Sequence, residues 1–104
     1  MPLYISLMKL TAKGLAEIEG SSDRARISRE RVEALGGRSL SFYATMGKYD
    51  FVQVFEMPDN AAMLHYLVIA RRDGYVDPVV MPAFGADEWQ RISQAASGKR
   101  VDDD

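Results

Sequence analysis

Gly47, Lys48, Tyr49 and Asp50 bring an amine, a phenol and a carboxylate together behind a glycine. A carboxylate serves as a general base when a substrate proton lies within hydrogen-bond reach and its own pKa is raised. The surrounding sequence indicates neither condition. The same residues suit a hairpin, where Gly47 supplies a positive φ and Asp50 accepts backbone N–H groups in or near the turn. The turn reading of Gly47, Tyr49 and Asp50 is therefore favoured over catalysis. A second set consists of aromatics with a few polar tips: Tyr4, Tyr43, Tyr49, Phe51, Gln53 and Phe55. Apolar walls with a few hydroxyls and an amide suit a small apolar or aromatic molecule, while the competing and slightly favoured reading is that these aromatics simply fill an interface between subunits. An enzyme using such a cavity would have Tyr43, Tyr49 and Asp50 as its polar groups.

Other chemistries find less support. No cysteine is present, which removes disulfides, thiolate metal sites and thiol nucleophiles. The one histidine, His65, lies in an apolar helical stretch and reads as a packed or interface residue, so no metal and no cofactor is expected. Tyr4, Tyr49 and Phe51 fall close to the stacking positions of RNA-recognition domains. Asp50, Leu7 and Val54 depart from those motifs, and a net charge of -2 with a pI near 5.4 offers no basic field. Nucleic acid is thus not an expected partner. Arg24, Arg26, Arg29 and Arg31 share a helix with Asp23, Glu30 and Glu33 and read as a solvated face. No apolar run reaches membrane-spanning length and Met1 to Leu10 does not read as a signal peptide, so a cytoplasmic protein without a membrane partner is expected.

The elements that must position these residues follow from periodicity. At 104 residues, 47% hydrophobic and 27% charged, the chain has the size and composition of one globular domain, here residues 1–96, with a polar, flexible tail over 97–104. A domain of this size gains from burial against partner subunits. Leu3 to Leu10 alternates as a strand, Thr11 caps a short helix through Ile18, and "GSSD" restarts a helix from Arg24 to Leu35. Arg38 to Met46 and Asp50 to Met57 form a hairpin around Gly47 and Lys48. A second long helix runs from a cap at Asp59 or Asn60 to Gly74, with an apolar band wide enough for a protein contact beyond the core. Tyr75 to Phe84 holds Pro78 and Pro82 and must be an edge strand. A last helix ends near Ala96, with Trp89 and Ile92 turned inward.

The order βαββαβ plus a final helix predicts an α+β, ferredoxin-like antiparallel sheet with helices on one face. Leu3, Ile5, Leu7, Leu40, Phe42, Ala44, Val52 and Val54 are expected beneath the helices. Tyr4, Ser6, Met8, Tyr43, Thr45, Phe51, Gln53 and Phe55 are expected on the free face, too apolar to stay uncovered.

"LYISLMKLTAKG", "ALGGRSLSFYATMGKYDFVQVFEMPDN" and "GYVDPVVMPAFGADEW" together resemble the GYD domain family, named for its Gly-x-Tyr-Asp turn, from end to end. The sequence departs from the usual pattern at Asn60, His65, Val79 and Met81. The resemblance implies a ferredoxin-like domain of the dimeric α/β-barrel kind, in which two open sheet faces pack together as a homodimer or higher homo-oligomer. The family has no settled activity, so no catalytic residue is carried over; similar dimeric barrels host cofactor-independent oxygenases and isomerases, and by that analogy of fold the enzymatic alternative is one of these, with Tyr43, Tyr49 and Asp50 as its polar groups.

Overall fold

The computed structural model describes residues 1–97; the expected tail over 97–104 lies outside the described residues from 98 onward. The elements are β1 (Leu3–Leu10), α1 (Ala12–Ala16), a 3-10 turn (Ile18–Gly20), α2 (Ser21–Ala34), β2 (Arg38–Ala44), β3 (Phe51–Glu56), α3 (Asn60–Asp73), β4 (Val76–Ala83) and α4 (Ala86–Ser97). The four strands make one antiparallel sheet in the order β2-β3-β1-β4, the α+β ferredoxin-like arrangement. Pro78 and Pro82 sit on edge strand β4, where a missing N–H is tolerated.

Local chemistry sets the boundaries. Thr11 caps α1 by accepting from Gly14 N at 3.0 Å, and Asp59 caps α3 by accepting from Ala62 N at 2.9 Å. Gly74 ends α3 in the left-handed region at φ 78°, with Arg71 and Arg72 in the last turn. The β2–β3 connection is wider than a two-residue hairpin, because β2 ends at Ala44 and β3 begins at Phe51. A bulge between Ser39 and Ser41 accommodates Leu40.

The structure corrects the expected assignment of sheet faces. Tyr4, Ser6, Met8, Gln53 and Phe55 are buried, whereas Leu3, Ile5, Leu7, Val52 and Val54 remain partly exposed. Register aligns Tyr4 with Phe55, Ser6 with Gln53 and Met8 with Phe51, so this set shares the face beneath the helices. Phe42 and Ala44 join it, opposite Gln53 and Phe51. The β2 expectation therefore holds for those two residues, while β1 and β3 are turned over. Both faces of β1 and β3 carry apolar residues, so alternation alone does not say which one meets the helices.

The core gathers Tyr4, Phe55, Met57, Val32, Met63 and Tyr66, with Leu35, Leu67 and Val80 packed against it. Among the methionines, Met8, Met57 and Met63 are buried and Met1, Met46 and Met81 are exposed. The Tyr4 hydroxyl donates to Asn60 Oδ1, joining β1 to the start of α3. The free face carries Leu3, Ile5, Leu7, Val52 and Val54, with Tyr43, Val79 and Met81 in register beside them. Its centre is mainly aliphatic, with the charged ladder pairs Lys9–Asp77 and Arg38–Glu56 toward its ends. Helix α4 is the other departure: it has no buried residue, and Trp89 is 62% exposed rather than turned inward. It begins beyond Gly85, after the end of β4.

Candidate functional site

Helix α2 presents an unusual stripe to the sheet. Its inward positions run Ser21, Ala25, Ser28, Val32 and Leu35, small or polar in the first half and aliphatic in the second. Helix α3 mirrors this with Met63, Tyr66 and Leu67 followed by the small Ala70. The two layers consequently fill their space at the Val32–Met63 end and leave it unfilled at the Ser21–Ala70 end. The result is a cleft of about 360 Å³ between sheet and helices. Its walls include Met8, Phe42, Phe51, Leu67 and Val80, with the Phe42 and Phe51 rings stacked at 5.4 Å between centroids.

The floor is polar. Ser28 and Tyr66 share a hydrogen bond, and the hydroxyl proton not used in it is donated to Gln53 Oε1, which lies 3.3 Å from Ser28 Oγ and 3.4 Å from the Tyr66 hydroxyl. Ser6 lies directly across the β1–β3 ladder from Gln53. Burial pushes the Tyr66 phenol above its ordinary pKa, and the hydrogen bond with Ser28, the Arg31 charge and Gln53 offset part of that rise. Tyr66 is therefore neutral at physiological pH. At the mouth, Arg31 pairs with Asp73 at 2.8 Å, and the Arg24 guanidinium lies 4.1 Å from the centre of the Tyr75 ring.

The Gly-Lys-Tyr-Asp loop does different work. Gly47 has φ 128°, within the region that favours glycine. The Asp50 carboxylate reaches out of its own loop to accept from Leu10 N at 2.7 Å, and Asp50 N donates to Met8 O at 2.8 Å. Thr45 N donates to Asp50 O at 2.8 Å, and the Thr45 hydroxyl donates to Tyr49 O at 2.8 Å. The loop is thus closed on itself and fastened to the end of β1. Asp50 uses its carboxylate on backbone N–H, as the turn reading requires, but the partner is on β1 instead of in the turn.

Of the residues singled out from sequence, Phe51 and Gln53 line the cleft, while Tyr4 and Phe55 lie in the core behind it. Tyr43 stands on the free face, 60% exposed, and Tyr49 and Asp50 stay with the loop. Tyr43, Tyr49 and Asp50 do not line the cleft, so the structure does not bring the three proposed polar groups of an oxygenase or isomerase together there. Tyr4 and Phe51 are on the covered face, away from any base stacked on the open sheet. His65 is exposed on α3. Sequence reasoning missed Ser6, Ser28 and Tyr66. The signal available was the run of small residues at helical spacing, Ser21, Ala25 and Ser28, which the neighbouring arginines overshadowed.

No group of three or more His, Cys, Asp and Glu side chains that could hold a metal occurs among the described residues. No helix among them is long and apolar enough to cross a membrane. No solved structure matches the chain. A curated relative from Thermus thermophilus, described as glutamine synthetase and cystathionine beta-lyase binding protein, is 37% identical over 70 residues, covering 62% of this chain and 74% of its own. The family model described as GYD domain matches residues 4–93, a span that takes in all of the sheet but Leu3, the cleft and the fastened loop. With that match extending from β1 into α4, the chain belongs to the GYD domain family.

Proposed function

We propose that this protein is a homo-oligomeric binding domain for a small apolar or aromatic molecule. The ligand occupies the cleft between sheet and helices, and the free sheet face makes the subunit contact. The observation carrying this reading is the cleft itself: an apolar chamber of about 360 Å³ with a polar floor, of the size and character that small ligands use. A cytoplasmic setting belongs to the same reading. The aliphatic face of Leu3, Ile5, Leu7, Val52 and Val54 supports self-association, since soluble monomers seldom leave so continuous an apolar surface in water.

Native mass spectrometry of freshly purified protein tests both parts. The expected spectrum is a dimer or a multiple of it, carrying extra mass that is lost when the protein is denatured in organic solvent. A bare monomer contradicts the reading.

A second reading is a docking module for other proteins. It is supported by the printed name of the Thermus thermophilus relative, a binding protein for two enzymes, and by the outer side of α3, where Leu64 and Val68 are exposed. Mixing the protein with purified glutamine synthetase and measuring co-elution separates the readings. A stable complex that Leu64→Asp or Val68→Asp abolishes favours docking, and its absence favours the small molecule.

A further inference from the structure

The polar floor of the cleft is unevenly satisfied. Gln53 Oε1 faces the Ser28 and Tyr66 hydroxyl pair and accepts from it, with the Nε2 group turned to the opposite side. The side-chain hydrogen bonds of Gln53 among the described residues all run to Oε1, leaving Nε2 without an acceptor there, and none of those bonds involves Ser6 Oγ. Both residues are 2% exposed and both line the cleft. Being paired across β1 and β3 on one face, they set an amide N–H₂ beside a hydroxyl on the same stretch of floor. A buried donor left without an acceptor costs about 1–3 kcal/mol. Two such side chains at one place in a cavity point to an acceptor that arrives from outside.

The charge of that acceptor follows from its surroundings. The walls around the floor are Met8, Phe42, Phe51, Leu67 and Val80, without a cation among them. The nearby guanidiniums sit at the mouth, Arg31 paired with Asp73 and Arg24 stacked on Tyr75 with a bond to Glu17 O. A carboxylate or phosphate driven to the floor would be desolvated, and the cation whose charge reaches the floor, Arg31, is already paired with Asp73. A neutral oxygen meets no such penalty. We propose that the cleft takes a neutral apolar molecule by a carbonyl-type oxygen, which accepts from Gln53 Nε2 and Ser6 Oγ while the carbon frame packs against Phe42 and Phe51. This inference rests on the small-molecule reading above and specifies its ligand class.

The test compares 1-indanone with indane, ring systems of one size that differ by the ketone oxygen, titrated into ¹⁵N-labelled protein. The ketone is expected to shift the Gln53 side-chain amide resonances and to bind about 10-fold more tightly than the hydrocarbon. Ser6→Ala and Gln53→Met should each reduce that preference to about 2-fold, with the backbone spectrum still native. Should Gln53→Met fail to fold, Ser6→Ala decides alone, since it removes a single oxygen. Equal binding of the two molecules, or a preference that survives the substitutions, overturns the carbonyl assignment, and water then serves the donors. In that case the cleft still binds an apolar molecule and the broader reading stands. Failure of both molecules to bind overturns both.

Discussion

Tyr66 is the residue in which packing and chemistry meet. Its ring belongs to the core, with the Phe55 ring 5.5 Å away between centroids, and its hydroxyl belongs to the floor of the cleft. Because burial raises its pKa above the usual value near 10, the native state holds the phenolic proton more tightly than the unfolded chain does. Its contribution to stability is then intact below about pH 10 and declines as pH rises through the folded-state pKa. Tyr66→Phe should remove that alkaline slope and cost about 1 kcal/mol at neutral pH through the lost hydrogen bonds. Urea midpoints measured from pH 8 upward, by roughly half-unit steps, read both effects. An unchanged alkaline slope would contradict the buried placement. Legibility at this scale divides by how local the cause is. Gly47, Thr11, Asp59 and Gly74 act within a few residues of themselves, and their roles were readable from sequence. Ser6 and Ser28 acquire meaning only when β1 and α2 meet over Gln53, which no local pattern announces.

Among the elements, the β2–β3 hairpin and β1 depend on one carboxylate. Asp50 joins the closing loop to Leu10 N, at the point where β1 gives way to α1. Asp50→Ala should therefore cost about 1–3 kcal/mol, leaving a partly buried N–H without its charged acceptor. Hydrogen exchange at Leu10 N–H should rise with it, and Asp50→Asn should lose less because its carbonyl oxygen still accepts. If Asp50→Ala kept full stability but lost bound ligand, the loop would have a role in the site after all. The order of elements was legible because each carries its own period and its own stop signals. The facing of β1 and β3 was not, since their two sides differ in kind of apolar residue and not in polarity. What selects the covered side is fit. Tyr4 and Phe55 complete a core with Met63 and Tyr66, and Gln53 finds Ser28 and Tyr66, contacts that Ile5 or Val54 could not replace. Helix α4 was misjudged for a related reason: its amphipathic pattern promises a partner surface, yet the pattern does not say on which chain that surface lies.

For the whole molecule, the free face turns a question of packing into one of association. Tyr43, Val52, Val54, Leu7, Val79 and Met81 lie side by side across the strands, and Arg38 pairs with Glu56 at 3.0 Å on the same side. A charge at its centre would be desolvated by any partner sheet, while costing little in a face left in water. Val54→Lys should accordingly give a folded monomer, with the loss of assembly read by analytical ultracentrifugation and the fold by its circular dichroism. A variant that still assembles as wild type would remove this face from the interface. The distribution of methionines makes the molecule its own chemical reporter. A mild peroxide treatment oxidises thioethers according to their access to solvent. Met46, at the loop tip, should form sulfoxide at once in every state of the protein. Met81, on the free sheet face, should react quickly in a lone subunit and slowly in an assembled one. Met57, wholly enclosed, should react only as fast as the chain opens. Peptide mass mapping of one time course would thus read dissociation and unfolding as separate rates, without any added label.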